Sequence, residues 1–167
     1  QEHRDWVERI CRDLGIKAIE PLWGKDTEEI LSSFIEAQFE AHGGSHEWIV
    51  IVPGATQWMD TGITVSSDDV LTFAAHGNVV YNRRGNGCGP EGTSWTDTRD
   101  KEDPLWAEPH GGLIGKIGET GSPFFIGTTH TMTAEQNGML SLGVNDYWYQ
   151  GNTGEFTVTV TVSRAAI

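Results

Sequence analysis

The sequence predicts a mainly β protein, a jelly-roll-like antiparallel β-sandwich preceded by a short helical segment. Near the end of the chain, Phe156, Val158, Val160 and Val162 alternate with threonines, as in a strand with one buried and one wet face. Most of the 21 glycines follow residue 42, with short apolar runs between them. This distribution is typical of an all-β protein with many turns.

Residues 1–43 are predicted to form a separate N-terminal segment of two helices. Apolar residues at helical spacing place the first helix at about 5–14 and the second at about 26–41. Asp26 with Glu29 three residues later resembles a capping box at the start of the second helix. Two short helices cannot form a stable domain alone, so their apolar faces must pack against something else.

Residues 44–167 are predicted to form the sandwich domain, with about eight strands separated by glycine or other turn residues. The predicted strands span 48–52, 60–65, 70–75, 78–81, 113–117, 124–126, 139–144 and 156–162. The stretch 85–112 lacks strong periodicity and is predicted to be a long loop. Loops of that length in compact domains are usually functional or mobile.

The charge balance limits the classes of partner. Eleven basic and 24 acidic residues give a formal net charge of −13, which disfavours nucleic acid and anionic lipid. It suits neutral ligands or a divalent cation held by carboxylates, although solvation alone explains it equally well. No run approaches the roughly 20 apolar residues of a membrane span. Residues 1–5 do not resemble a signal peptide, and the compartment stays open between extracellular and cytoplasmic.

No combination of residues predicts catalysis, and an enzyme is not expected. The glycines of 111–116 lack the spacing and the helix of a phosphate loop. The six histidines do not follow a metal-ligand pattern and are interpreted as isolated surface or capping residues. The carboxylates of 68–69 and 100–103 are interpreted as solvated loop charge. Cys11 and Cys88 do not form a disulfide framework and are predicted to be inert or buried thiols.

The loop at 143–154 carries the best candidate site. It joins two predicted strands and combines an Asp, two Asn and a Thr with neighbouring Tyr and Trp residues. Calcium takes six to eight oxygen ligands, and sugars require polar groups beside an aromatic face. A hairpin loop in which Asn and Asp bond their own backbone would show the same composition. The residues alone favour the latter interpretation.

Seven segments of the chain follow the order and spacing of one family of binding domains, at 58–63, 69–77, 89–92, 112–118, 125–127, 138–146 and 152–156. Through these segments the chain resembles the galactophilic lectin domains of the PA-I type over about residues 48–163. It implies a jelly-roll-like sandwich with a calcium ion at one end, through which sugar hydroxyls are bound. The implied partner is a carbohydrate.

The resemblance also implies individual site residues. Asp146 and Asn152 fall at metal-ligand positions, Tyr81 falls where the family offers a backbone carbonyl to the metal, and Thr153 falls in the small-residue position before Gly154. The candidate sugar-binding residues at this end of the sandwich are Asp146, Asn152, Tyr147, Trp148, Trp106 and Asp103. Trp106 or Trp148 could stack on a sugar ring, and the alternative is that either simply fills the end of the sandwich.

Two departures from the family affect what carries over. The family usually has Asp or Asn immediately before Asn152, where this chain has Gly151. Losing that ligand should weaken calcium binding, which depends on the number and charge of the ligands. The family's sugar-contacting His-Pro and Gln are also absent, since this chain has Asp103-Pro104-Leu105-Trp106. Galactose specificity is therefore not expected to transfer, and the sugar stays open.

Residues 2–41 resemble a late segment of the diphthine–ammonia ligase family of ATP pyrophosphatases, through the runs 7–16, 21–26, 28–31 and 39–41. The nucleotide loop of those enzymes is not in this chain, so the segment is interpreted as a fragment without adenylating activity. The alternative function to a lectin is a structural or adhesive subunit that forms homo-oligomers. In that hypothesis the apolar stripe of Phe34, Ile35 and Phe39 mediates assembly.

Overall fold

The computed structural model describes residues 44–82, 84–93 and 102–164. Nine strands lie within these ranges: β1 (Gly44–Pro53), β2 (Met59–Val65), β3 (Val70–Val80), β4 (Gly87–Cys88), β5 (Leu113–Ile117), β6 (Phe124–Phe125), β7 (Thr129–Thr133), β8 (Gly138–Val144) and β9 (Thr153–Arg164). One 3-10 turn, Tyr149–Gly151, lies between β8 and β9. The predicted helices, the ligase-like segment, Cys11 and the stripe of Phe34, Ile35 and Phe39 lie outside the described residues.

The strands form two antiparallel sheets. The first has the order β1-β9-β3-β4, with β7 also paired to β3, and the second has the order β2-β8-β5-β6. One hydrophobic core includes residues of both sheets, as expected where two sheets each bury one face against the other. The predicted mainly β, antiparallel sandwich is therefore confirmed. No helix among the described residues is long and apolar enough to span a membrane.

Strand β9 supplies the centre of the larger sheet and of the core. Phe156, Val158, Val160 and Val162 are all fully buried, while the threonines between them are half-buried on the opposite face. Each such aliphatic or aromatic side chain contributes about 2 kcal/mol through burial. The alternation that predicted this strand therefore places its apolar side chains in the core and its threonines on the opposite face.

Three strand predictions need correction. The two strands predicted at 70–75 and 78–81 are one strand, β3, which continues through Gly77 with φ +117°. A Cβ at Gly77 would collide with the Glu155 carbonyl oxygen of β9, so glycine allows close strand contact here and does not form a turn. Strand β7 was missed because it alternates threonine with only two half-buried side chains, His130 and Met132. The predicted loop 85–112 contains the short strand β4, which pairs with the end of β3.

A buried ion pair fixes the end of β9 to the turn before β3. Asp69 is 1% exposed and accepts hydrogen bonds from Arg164 Nε at 2.7 Å and Nη2 at 2.5 Å. Its carboxylate also accepts the amide N–H of Ser66 at 2.8 Å. The prediction that Asp69 is a solvated loop charge is therefore wrong. Burial raises the pKa of this carboxyl, but the bonds from Arg164 and Ser66 outweigh it and leave the pKa below its ordinary value of 3.8.

We expect Asp69→Asn to lower the free energy of unfolding by about 2 kcal/mol at neutral pH, because it removes the anion that Arg164 faces. The folded-state pKa is lowered, so the stability that Asp69 contributes is present above 3.8 and is lost as the pH falls through the lower folded value. Urea unfolding at several pH values should show the difference between wild type and variant shrinking at acid pH. Asp60→Asn, at an exposed carboxylate that accepts the Gly62 amide, is the control. An equal loss in both variants would contradict the role of the ion pair.

Candidate cation and sugar site

Strand register brings the site together. In the pairing of β5 with β8, Leu113 lies opposite Val144, and two backbone hydrogen bonds continue the pairing beyond it. Gly111 donates to the Asn145 carbonyl at 2.8 Å, and Asn145 donates to the Gly112 carbonyl at 2.8 Å. The same antiparallel register places the residues before Gly111 beside those after Asn145. His110 and Asp146 consequently become neighbours.

The pairing of β3 with β9 brings Tyr81 and Asn152 to the other side of the site. Val80 lies opposite Thr153 and Val79 opposite Gly154, so the next residues outward are Tyr81 and Asn152. Gly154 has φ +82°, and a Cβ there would collide with the Asn78 carbonyl oxygen. Glycine is therefore required for β9 to begin this close to β3. The Tyr81 ring meets the His110 ring edge-on, with centroids 5.1 Å apart.

Asp146 lies at the centre of the site and is 1% exposed. Its Oδ1 accepts the amide N–H of Trp148 at 2.7 Å, which is the Asx-turn that an Asp in this position favours. Its Oδ2 accepts the side-chain amide of Asn152 at 2.9 Å. The two side chains that the resemblance implies as metal ligands are thus in direct contact.

Asp103 and His110 extend this cluster. His110 Nδ1 lies 2.8 Å from Asp103 Oδ2, and a carboxylate can only accept, so Nδ1 donates. Asp103 Oδ1 accepts the amide N–H of Tyr147 at 3.0 Å. His110 Nε2 lies 3.9 Å from Asp146 Oδ2. His110 is 8% exposed and Asp103 is 5% exposed, so the predictions of a surface histidine and of a solvated charge at Asp103 are wrong.

The buried cluster of Asp103, His110 and Asp146 could hold a metal ion. Each residue offers one ligand atom, and these atoms lie within 4.8 Å of one another. Two carboxylates this close inside a protein repel each other more strongly than in water, which favours a positive charge between them. The Asn152 amide can add an oxygen donor by rotating its terminal torsion, since the amide nitrogen and oxygen exchange places in that rotation.

The side chain of Asn145 anchors the loop that delivers Asp103 and His110. It is fully buried. Its Oδ1 accepts the amide of Leu105 at 2.9 Å, and its Nδ2 donates to the carbonyls of Leu105, Glu108 and Pro109 at 3.0, 3.4 and 3.1 Å. In the sequence, Asn145 stands out only as one of the oxygen donors of the loop 143–154. An Asn directly after a buried strand and before Asp146 is the only local signal of its role.

The aromatic candidates lie on the same two loop segments that carry this cluster. Trp106 is 55% exposed and Trp148 is 63% exposed, and Tyr147 packs edge-on against Trp148 with centroids 6.2 Å apart. Trp106 directly follows Leu105, and Trp148 follows Asn145 by three residues, so the Asn145–Leu105 bonds hold the two aromatic segments near each other. Thr153 is exposed at the start of β9.

Cys88 lies next to the site, and its thiol is buried and hydrogen-bonded. Its Sγ donates to the Gly111 carbonyl at 3.5 Å, and it is a buried free cysteine, as predicted. Burial, with the charges of Glu91 and Asp146, raises the pKa of the Cys88 thiol to about 12. The thiol is therefore protonated at neutral pH, and thiolate chemistry is disfavoured.

We expect Asn145→Ala to lower the free energy of unfolding by about 3 kcal/mol, because it removes the four hydrogen bonds through which this buried side chain holds the segment 105–109. Amide hydrogen exchange at Leu105 should accelerate more than the global loss of stability requires, since the loop loses its anchor. Asn86→Ala, at an exposed asparagine beside β4, is the matched control. If the Asn145 variant loses no more stability than the Asn86 variant, the anchoring role is wrong.

A solved structure has a fold similar to that of this chain. No protein-family model and no curated protein sequence matches the chain. A solved structure described as "EclA N-terminal domain; PllA-like lectin" matches with a TM-score of 0.53 at 20% sequence identity. The match covers 70% of this chain and 95% of that chain. At this identity the likeness shows the fold alone, and the described part of this chain accordingly has a lectin-like β-sandwich fold.

Proposed function

We propose that this protein is a carbohydrate-binding module of the lectin type, which recognises neutral sugars at the loop between β8 and β9. The observation that carries the proposal is the combination of a buried polar cluster at Asp146 with exposed aromatic rings at Trp106 and Trp148. Sugar recognition requires this combination, because hydroxyls need fixed polar partners and the C–H faces of the ring need an aromatic surface.

Calcium is the cation that we propose for this function. Asp146 and Asn152 are the proposed side-chain ligands, with Thr153 and the Tyr81 backbone carbonyl beside them, as the lectin resemblance implies. The contact between the Asp146 and Asn152 side chains supports the first two. Calcium, when bound, would accept sugar hydroxyl oxygens as additional ligands. Gly151 supplies no side-chain oxygen, so weak calcium binding is expected.

Other features of the protein have separate proposed roles in sugar binding. Asp103 is buried with both carboxylate oxygens bonded inward, so its proposed contribution to sugar binding is to hold the Tyr147 backbone in place. Trp148 and Trp106 offer the stacking surfaces. The net charge of −13 favours neutral sugars over anionic ones, because acidic glycans would be repelled.

We expect a glycan array to show binding to neutral glycans that a chelator weakens and added calcium restores. Calorimetry with the best glycan should then show that Trp148→Ala and Trp106→Ala each lower affinity about tenfold, since an aromatic contact contributes about 1 kcal/mol beyond its buried area. Ile49→Ala removes a side chain that is 71% exposed on β1, and it should leave affinity unchanged. Asp146→Asn should abolish the effect of calcium.

Two outcomes would contradict parts of the proposal separately. Absence of glycan binding by the full chain, with and without calcium, would overturn the lectin function. Glycan binding that is indifferent to chelator and to Asp146→Asn would retain the sugar site and overturn the role of calcium.

A further inference from the structure

The Asp103–His110 pair gives this cluster an imidazole nitrogen, which an oxygen-coordinated calcium site does not require. Asp103 Oδ2 accepts from His110 Nδ1 at 2.8 Å, and this bond fixes the tautomer in which Nε2 carries the lone pair of the neutral ring. Asp103 is itself held by the Tyr147 amide at 3.0 Å. The imidazole is therefore oriented by a carboxylate that the backbone holds in place.

The distance between His110 and Asp146 suits a shared ligand. Nε2 and Asp146 Oδ2 are 3.9 Å apart, which exceeds the distance of a direct hydrogen bond. A tetrahedral ion with bonds of about 2.1 Å to nitrogen and oxygen would hold these atoms about 3.4 Å apart. A closure of about half an ångström would bring this pair to that distance.

We propose that His110 Nε2 and the Asp146 carboxylate are ligands of a transition-type divalent cation such as Zn²⁺, with Asp103 as the positioning residue. The proposal shares Asp146 and Asn152 with the proposed calcium site and does not otherwise depend on the proposed function. A carboxylate–imidazole–metal arrangement is the usual way in which proteins orient a histidine ligand and strengthen its binding. The same cluster then binds zinc more tightly than calcium.

The ligand chemistry supports this order of affinity. Imidazole suits zinc and its first-row neighbours, whereas calcium takes oxygen ligands at longer distances and in larger number. Gly151 removes one oxygen from the calcium set, while His110 adds a nitrogen that only the smaller ions use well. Asn152, 2.9 Å from Asp146 Oδ2, is placed to offer a third ligand atom through its amide oxygen.

The test is isothermal titration calorimetry of the metal-free full chain, with Zn²⁺ and Ca²⁺ added in separate experiments. We expect zinc to bind at least about 100-fold more tightly than calcium, as mixed nitrogen and oxygen sites do for ions of this series. His110→Gln should lower zinc affinity by about 100-fold and leave calcium affinity within about threefold, and Asp103→Asn should lower zinc affinity by about tenfold. His130→Gln, on β7, is the matched control and should change neither.

A spectroscopic measurement keeps the test decisive if a variant does not fold. In the wild-type chain, ¹⁵N NMR of the His110 ring should show the Nε2 resonance shifting on zinc addition, and Co²⁺ should give visible absorption bands of a low-coordinate site. Cys88→Ser should leave these signals unchanged, because the proposed ligand set does not include the Cys88 thiol.

The outcomes separate this proposal from the lectin function. Calcium binding as tight as zinc binding, or a His110 Nε2 resonance that zinc does not move, overturns the zinc site and leaves the sugar site standing. Zinc binding through His110 with no glycan bound under any ion overturns the lectin function and supports the zinc site. Zinc binding that Cys88→Ser removes overturns the assignment of ligands.

Discussion

The site depends on one buried amide group, the side chain of Asn145. It bonds to one N–H and three carbonyls of the segment Leu105–Pro109. No hydrophobic side chain can replace those bonds, since it offers neither a donor nor an acceptor. The loop that follows β8 is thereby tied to the loop that precedes β5. Asp103, His110 and Trp106 come from the second loop, and Asp146 and Trp148 come from the first.

The loop after β8 also stabilises the charges of the cluster. Two carboxylates are tolerated here because each accepts a backbone N–H, from Tyr147 to Asp103 and from Trp148 to Asp146. Charge-assisted bonds of this kind are roughly twice as strong as neutral ones. The backbone of the loop after β8 thus holds both anions, and the imidazole of His110 lies between them.

The fold could be predicted from the sequence wherever a strand alternates cleanly, as β9 does with four buried apolar residues between threonines. Prediction was wrong at Gly77, because a glycine in a strand and a glycine in a turn look the same without knowledge of the Glu155 carbonyl opposite it. It missed β7, because Thr129–Thr133 presents few apolar side chains. These residues take their conformation from neighbours that are distant in sequence.

The candidate site could likewise be predicted only where its residues lie close together in the sequence. Asp146 and Asn152 lie six residues apart and could be paired from one loop and a family resemblance. Asp103 and Tyr147 are 44 residues apart in the sequence, and Asn145 and Pro109 are 36 residues apart. No local sequence pattern therefore predicts their hydrogen bonds. The resemblance gave no reason to include His110, because its role arises from the register between β5 and β8.

The position of β9 also governs how the chain can fold. The larger sheet has β9 at its middle, paired along its length with β1 on one side and β3 on the other. Strands β1 and β3 consequently have no hydrogen-bonded connection to each other until residues 153–164 have been synthesised. Contacts between residues this distant in sequence slow folding. During synthesis, the core-facing sides of β1 and β3 stay exposed until β9 has been made. A nascent chain of this protein therefore carries unpaired β edges until translation passes Arg164, and unpaired edges of this kind make a partly synthesised chain prone to aggregation.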